Sequence, residues 1–146
     1  MAKLKLWLRV VGVFYLVQFV LNVFVQAPIR AMGPKGALDQ AAAGDPLARF
    51  LVDTWVISGL EVGAIGAALL LASRRPEQAS VLVWTIIGIE LARGIIADIY
   101  MVARGNDVVV AAIWIVIHSA VIVTGFAVLR SSRAADGTNV VPTSGR

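Results

Sequence analysis

Residues 81–103 read VLVWTIIGIELARGIIADIYMVA. A bilayer crossing needs about 20 mainly apolar residues, and this run is long enough. It nevertheless carries Glu90, Arg93 and Asp98. A charge near the centre of a membrane helix costs about 2.5–3.5 kcal/mol on the insertion scale, so the three together cost roughly 5–10 kcal/mol once Asp98 is discounted for depth. The eleven Val, Ile and Leu residues of the run offset only about 3–7 kcal/mol. Alone, the segment is marginal in a membrane. It requires neighbours that pair its charges.

Three further apolar runs supply such neighbours, at residues 4–26, 50–72 and 108–129. The whole chain of 146 residues is 59% hydrophobic and 15% charged, with a mean hydropathy of +0.84. Soluble domains are nearer half apolar and a quarter charged, so the composition argues against a water-soluble globular enzyme. Disorder is excluded by the same aliphatic excess. The expected fold is all-α, a single four-helix transmembrane bundle over residues 1–130, with a flexible polar tail at 131–146.

The segments between the runs are punctuated accordingly. Asp45-Pro46 reads as an N-cap followed by proline at the first helical position, so the second helix begins before its apolar run. Ser73-Arg74-Arg75-Pro76 closes it. Arg104-Gly105-Asn106-Asp107 is a tight link, with Gly105 suited to a C-terminal cap and Asn106 or Asp107 to an N-cap. The last two helices should therefore form an antiparallel hairpin. The connection 27–49 carries Pro28, Gly33, Pro34, Gly36 and Gly44 and reads as a loop with one short helix around 37–43.

The net charge is +4, from 13 basic and 9 acidic residues. The bases flank apolar segments and do not form a stripe with aromatics, so nucleic acid is not an expected partner; the lipid bilayer is. With the N-terminus cytoplasmic, the inner side holds Lys3, Lys5, Arg9, Arg74, Arg75, Arg130, Arg133 and Arg146. The outer side holds Arg30, Lys35, Arg49 and Arg104. This bias places both termini in the cytoplasm of a bacterial inner membrane. The first run is too long for the core of an ordinary cleaved signal peptide and is read as a span.

Polar side chains interrupt all four runs at similar depth. Tyr15 and Gln18 lie in the first, Glu61 in the second, Glu90 and Arg93 in the third, and His118 in the fourth. Asp53 and Asp98 lie nearer the outer face, with Asn22 and Gln26. At 100° per residue Arg93 falls about 60° from Glu90 on one side and Asp98 about 80° on the other. All three then share one broad face of the third helix. Arg93 has two natural partners, Glu90 and Glu61, because a guanidinium can grip two carboxylates. That pairing leaves one excess negative charge, to be met by a proton, a charged His118 or a bound cation. The candidate ligand-binding or polar-core residues are thus Gln18, Asp53, Glu61, Glu90, Arg93, Asp98 and His118. Intramembrane ionisable groups mark ligand, ion or proton sites by default, against the plainer alternative that they hold four helices in register.

Other chemistry finds little support. There is no cysteine, which removes disulfides, thiolate catalysis and thiolate metal sites. The paired Glu-x-x-His motif of di-iron bundles is absent, and neither a metal nor a cofactor is expected. Ser58, Ser119 and Thr124 fit no Ser-His-Asp arrangement. Gly59 and Gly63 form a GxxxG pattern, followed by Gly66, suited to close helix packing within the chain. Trp7, Trp55, Trp84 and Tyr100 fall toward segment ends as interface anchors. Trp114 precedes His118 by four residues and faces the same way.

The stretches DTWVISGLEVGAIGAALLLASRRPEQA (53–79), IGIELARGIIADIYMVARGND (87–107) and WIVIHSAVI (114–122) resemble the BphX-like family of small bacterial membrane proteins. More distantly, the arrangement is similar to DoxX-type four-helix proteins. The likeness covers residues 3–130 and implies a four-helix integral membrane protein of uncharacterised role. Some members are encoded beside genes for breakdown of biphenyl-like aromatics, which implies a link to lipophilic compounds. The expected function is binding or accessory, serving a lipophilic small molecule or a membrane partner, with assembly as a homo-oligomer or in a larger complex. Proton-coupled or small-molecule transport, and a membrane enzyme using a carboxyl group or His118, remain alternatives.

Overall fold

The computed structural model describes residues 1–137, with side chains described at all of these except 31, 32 and 133–137. Every regular element among the described residues is helical. α1 spans Ala2–Val20 and runs on through a π-helical turn, Leu21–Val25. α2 (Ala27–Met32) and α3 (Ala37–Ala42) follow, then α4 (Pro46–Ala72). A 3-10 turn at Pro76–Gln78 leads to α5 (Ser80–Ile89), a π-helical stretch (Glu90–Ile96) and α6 (Ala97–Ala103). α7 covers Val108–Gly137.

Four helical stretches among the described residues are long and apolar enough to cross a membrane: Ala2–Val25, Pro46–Ala72, Ser80–Ala103 and Val108–Ser132. No more than 28% of any of their apolar windows is buried inside the chain. Leu6, Val10, Val13 and Val17 on α1, and Val109, Ile113, Val116 and Val123 on α7, are exposed. In water such surfaces would be prohibitive; in hydrocarbon they are the solvent-facing side.

The capping chemistry follows the sequence. Asp45 Oδ1 accepts from the Ala48 N–H at 2.7 Å and starts α4. Asp107 Oδ1 accepts from Val109 N–H (2.8 Å) and Val110 N–H (3.1 Å) and starts α7. Gly105 takes a φ of 90° between them, a conformation glycine adopts at no steric cost. Two features depart from expectation. The connection after α1 holds α2 as well as the anticipated short helix, because Pro28 in its first turn lacks only an N–H that a helix start leaves unused. And α7 passes Leu129 without a break, since no glycine or proline intervenes before Gly137. The remainder of the expected flexible tail lies outside the described residues.

The chain divides into two compact units. One comprises Arg9–Leu71. Within it α1 and α4 run antiparallel at close range along the small-residue stripe. A Cβ added at Gly66 would lie 2.9 Å from the Gly12 carbonyl oxygen and 3.1 Å from Leu16. One at Gly63 would meet Phe19 at 2.8 Å, and one at Gly59 would meet Val23 at 2.7 Å. The GxxxG pattern is therefore used inside the chain. We expect Gly66→Ile to destabilise the protein by about 1–3 kcal/mol through overpacking. Gly88→Ile, where nothing lies within 4 Å, should be neutral. Thermal unfolding in a mild detergent compares the two.

The other unit comprises Met1–Leu8 and the chain from Ala72 onward. α5, the π stretch and α6 pack antiparallel to α7. Trp84 meets Phe126 edge to face, with ring centroids 5.2 Å apart, and Gly125 lies against Ile87 and Trp7. Leu8, Val83 and Ile86 are fully buried. Trp7, expected as an interface anchor, is buried, and its indole N–H donates to Thr124 Oγ1 at 3.0 Å. A buried indole needs such an acceptor. Trp7→Phe should cost about 0.5–1.5 kcal/mol, the usual net worth of one hydrogen bond, in the same unfolding measurement.

Candidate functional site

The third span is not a uniform α-helix. From Glu90 to Ile96 it winds as a π-helix, which takes more residues per turn than 3.6. At 100° per residue, eight residues carry Asp98 about 80° past Glu90. Underwinding removes most of that excess and brings Glu90, Gly94 and Asp98 into one column along the helix. The same underwinding turns Arg93 further from Glu90. Accordingly Glu90 is 3% exposed while Arg93 lies on the exposed side. The broad face expected to carry all three charges is a narrow column of two carboxylates with a glycine between them.

His118 of α7 fills the space that Gly94 leaves. A Cβ at Gly94 would overlap the imidazole, 2.6 Å from Nδ1 and 2.8 Å from Cδ2. On one side Nδ1 is hydrogen-bonded to Glu90 Oε2. On the other, Nε2 lies 3.7 Å from Asp98 Oδ2. That separation suits charge attraction and is too long for a hydrogen bond. Asp98 Oδ2 is itself buried, with no hydrogen-bond partner among the described residues. Trp114, one turn earlier on α7, stacks on the imidazole with centroids 5.8 Å apart and planes at 29°. The side chains of His118 and Asp98 keep 19% and 23% of their surface exposed.

The chemistry of this arrangement is constrained. Glu90 fixes the orientation of the ring through Nδ1, as a buried carboxylate commonly does beside a histidine. Nε2, the other ring nitrogen, lies on the Asp98 side. Two carboxylates flank one imidazole. Among the described residues, no cluster of three or more such side chains has a geometry that could hold a metal ion.

Of the seven candidates, the structure brings Glu90, Asp98 and His118 together. Arg93 sits on the same π stretch, on its exposed side. Gln18, Asp53 and Glu61 belong to the Arg9–Leu71 unit. There Gln18 is half-buried on α1, its backbone carbonyl accepting from Asn22 Nδ2 at 2.6 Å, and Asp53 and Glu61 are exposed on α4. Gly94 was not singled out from the sequence. The pattern Glu-x-x-x-Gly-x-x-x-Asp would have revealed it, had an underwound helix been considered.

The family model for BphX-like proteins matches residues 1–134. The chain belongs to the BphX-like family. An uncharacterized BphX-like protein of Burkholderia cepacia is 28% identical over 110 residues, covering 73% of this chain and 76% of the relative. Another, from Paraburkholderia xenovorans strain LB400, matches with the same figures. No solved structure matches. Glu90, Gly94, Asp98 and His118 all fall inside the BphX-like region. Both relatives are themselves described as uncharacterized, so no residue role carries over from them.

Proposed function

We propose that this BphX-like protein is a binding or accessory protein of the bacterial inner membrane, holding a lipophilic molecule by a polar group at the Asp98–His118 end of the cluster. One observation carries the reading: Asp98 Oδ2, buried within a membrane span, has no hydrogen-bond partner among the described residues. Leaving such a group unmet costs about 1–3 kcal/mol or more, and a ligand that donates to it recovers that cost. The partial exposure of His118 and Asp98 gives such a ligand a way in.

The test is native mass spectrometry of protein extracted in mild detergent. Wild-type protein should carry a lipophilic adduct that Asp98→Ala lacks, with helical content unchanged by circular dichroism. Identical adducts on both proteins would remove the reading. The expected orientation, both termini cytoplasmic, is checked by reporter fusions at the N-terminus and after Gly105.

The order carboxylate–imidazole–carboxylate favours a second reading, transfer of protons along Glu90, His118 and Asp98 coupled to movement of a solute. Reconstituted liposomes decide it. Proton flux should follow an imposed pH gradient and vanish in His118→Phe. Absence of flux at every gradient and voltage would exclude it.

A further inference from the structure

We propose that the end of the Met1–Leu8 and Ala72-onward unit that carries Lys3, Lys5, Arg74, Arg75 and Arg130 is a binding surface for anionic phospholipid. The phosphate is held among these bases, and an acyl chain lies along α7. The surface is separate from the Asp98–His118 cluster and independent of its reading. Arg130 stands twelve residues beyond His118, about 18 Å along the helix.

Contacts within the unit bring the bases to one level. The Trp7 indole N–H on Thr124 and its ring against Gly125 set the first turns of α1 beside the later part of α7. Trp84 against Phe126 sets the start of α5 there too. Four residues, about 6 Å of rise, separate Phe126 from Arg130 and Trp84 from Ser80. Arg74 and Arg75 come just before the 3-10 turn that leads into Ser80. All five side chains are exposed, and none has an ion pair or a side-chain hydrogen bond among the described residues. Within residues 1–8, 72–84 and 124–132, which build this end, Glu77 is the single acid. The charge is thus unbalanced and open to an anion from outside the chain.

The helix faces say what kind of anion. At 100° per residue Phe126, Val123 and Val116 each fall within about 40° of Arg130 around α7. All are exposed, so the base heads a column of apolar side chains. Trp84, edge to face with Phe126, is exposed as well, and an indole there marks the headgroup boundary. A phospholipid satisfies both parts: its chain covers the column while its phosphate comes level with the bases. An acidic soluble protein brings the charge and leaves the column bare. Each basic side chain near an acidic headgroup region strengthens the attraction about fivefold.

The experiment is native mass spectrometry of the full chain in a mild nonionic detergent, titrated with dioleoyl phosphatidylglycerol or dioleoyl phosphatidylcholine. Detergent imposes no inside or outside, so the readout is separate from any part the bases have in topology. The first phosphatidylglycerol should bind about tenfold or more tighter than the first phosphatidylcholine. Changing Arg74, Arg75 and Arg130 together to Gln should bring the two lipids within about twofold of each other, while Arg104→Gln, past the far end of α6, should leave the preference intact. Excess sn-glycerol 3-phosphate, which has the charge and no chains, should displace nothing. Equal binding of the two lipids by wild-type protein would overturn the proposal. So would a preference that survives in the triple variant, or one that Arg104→Gln weakens as much. Displacement by glycerol phosphate, or by polyglutamate, would overturn the lipid in favour of a free anion or an acidic protein. The two-lipid comparison on wild-type protein stands even if a variant fails to fold.

Discussion

Gly94→Leu should cost the protein its Glu90–His118 pair and about 3 kcal/mol or more of stability. The imidazole occupies the volume into which any side chain at residue 94 must grow. A single Cβ already overlaps the ring, whose other neighbour on α7 is the stacked Trp114. His118 must then leave the column, and Glu90 loses its hydrogen bond with the imidazole inside the span. Thermal unfolding in detergent measures the loss. The ring 15N shifts of His118 report separately whether Nδ1 is still hydrogen-bonded to a carboxylate. Gly88→Leu, six residues earlier and open on all sides, should keep both readouts at wild-type values. Equal stability of the two variants would mean that His118 is not held against this helix.

Glu90→Ala should be the most damaging substitution at a polar position, at about 3–5 kcal/mol, because removing one partner of a buried pair strands the other. Glu90→Gln keeps the shape and an acceptor oxygen, so it should cost well under half as much. The contrast separates charge from packing. A double-mutant cycle with His118→Phe isolates the pair: if the two groups act on each other, the double variant loses less than the sum of the singles. Strict additivity would show that Glu90 is stabilised by other means.

Why the spans were legible while the column was not follows from the solvent. An apolar run of 20 residues signals a membrane helix by length alone, and Asp45, Gly105 and Asp107 mark turns by chemistry independent of their surroundings. Rotation about a helix axis is different. In water the alternation of apolar and polar residues reveals which way a helix faces and how fast it winds. Here Leu91, Ile96 and Ile99 point to lipid while Ile86 and Ile87 are buried, and all are equally apolar. Nothing in such a pattern discloses a change in winding. Arithmetic at a fixed 100° per residue consequently grouped Arg93 with Glu90 and Asp98, whereas the π stretch lines up the two acids with Gly94 and leaves the arginine aside. The misreading of Trp7 has the same origin. An indole near a segment end serves as well beneath a neighbouring helix as at a headgroup, and only the position of Thr124 decides between them.

The length of α7 carries a mechanical implication. Thirty residues extend about 45 Å, and the hydrocarbon slab is about 30 Å thick. Roughly two to three turns must stand clear of the acyl region as a stiff rod continuous with the segment that bears His118. Cargo spliced into that rod in helical register would inherit its tilt and azimuth, and each inserted residue would swing the cargo by about 100° around the axis. Fluorescence anisotropy of a dye clamped there would then serve as a goniometer for the buried histidine's helix.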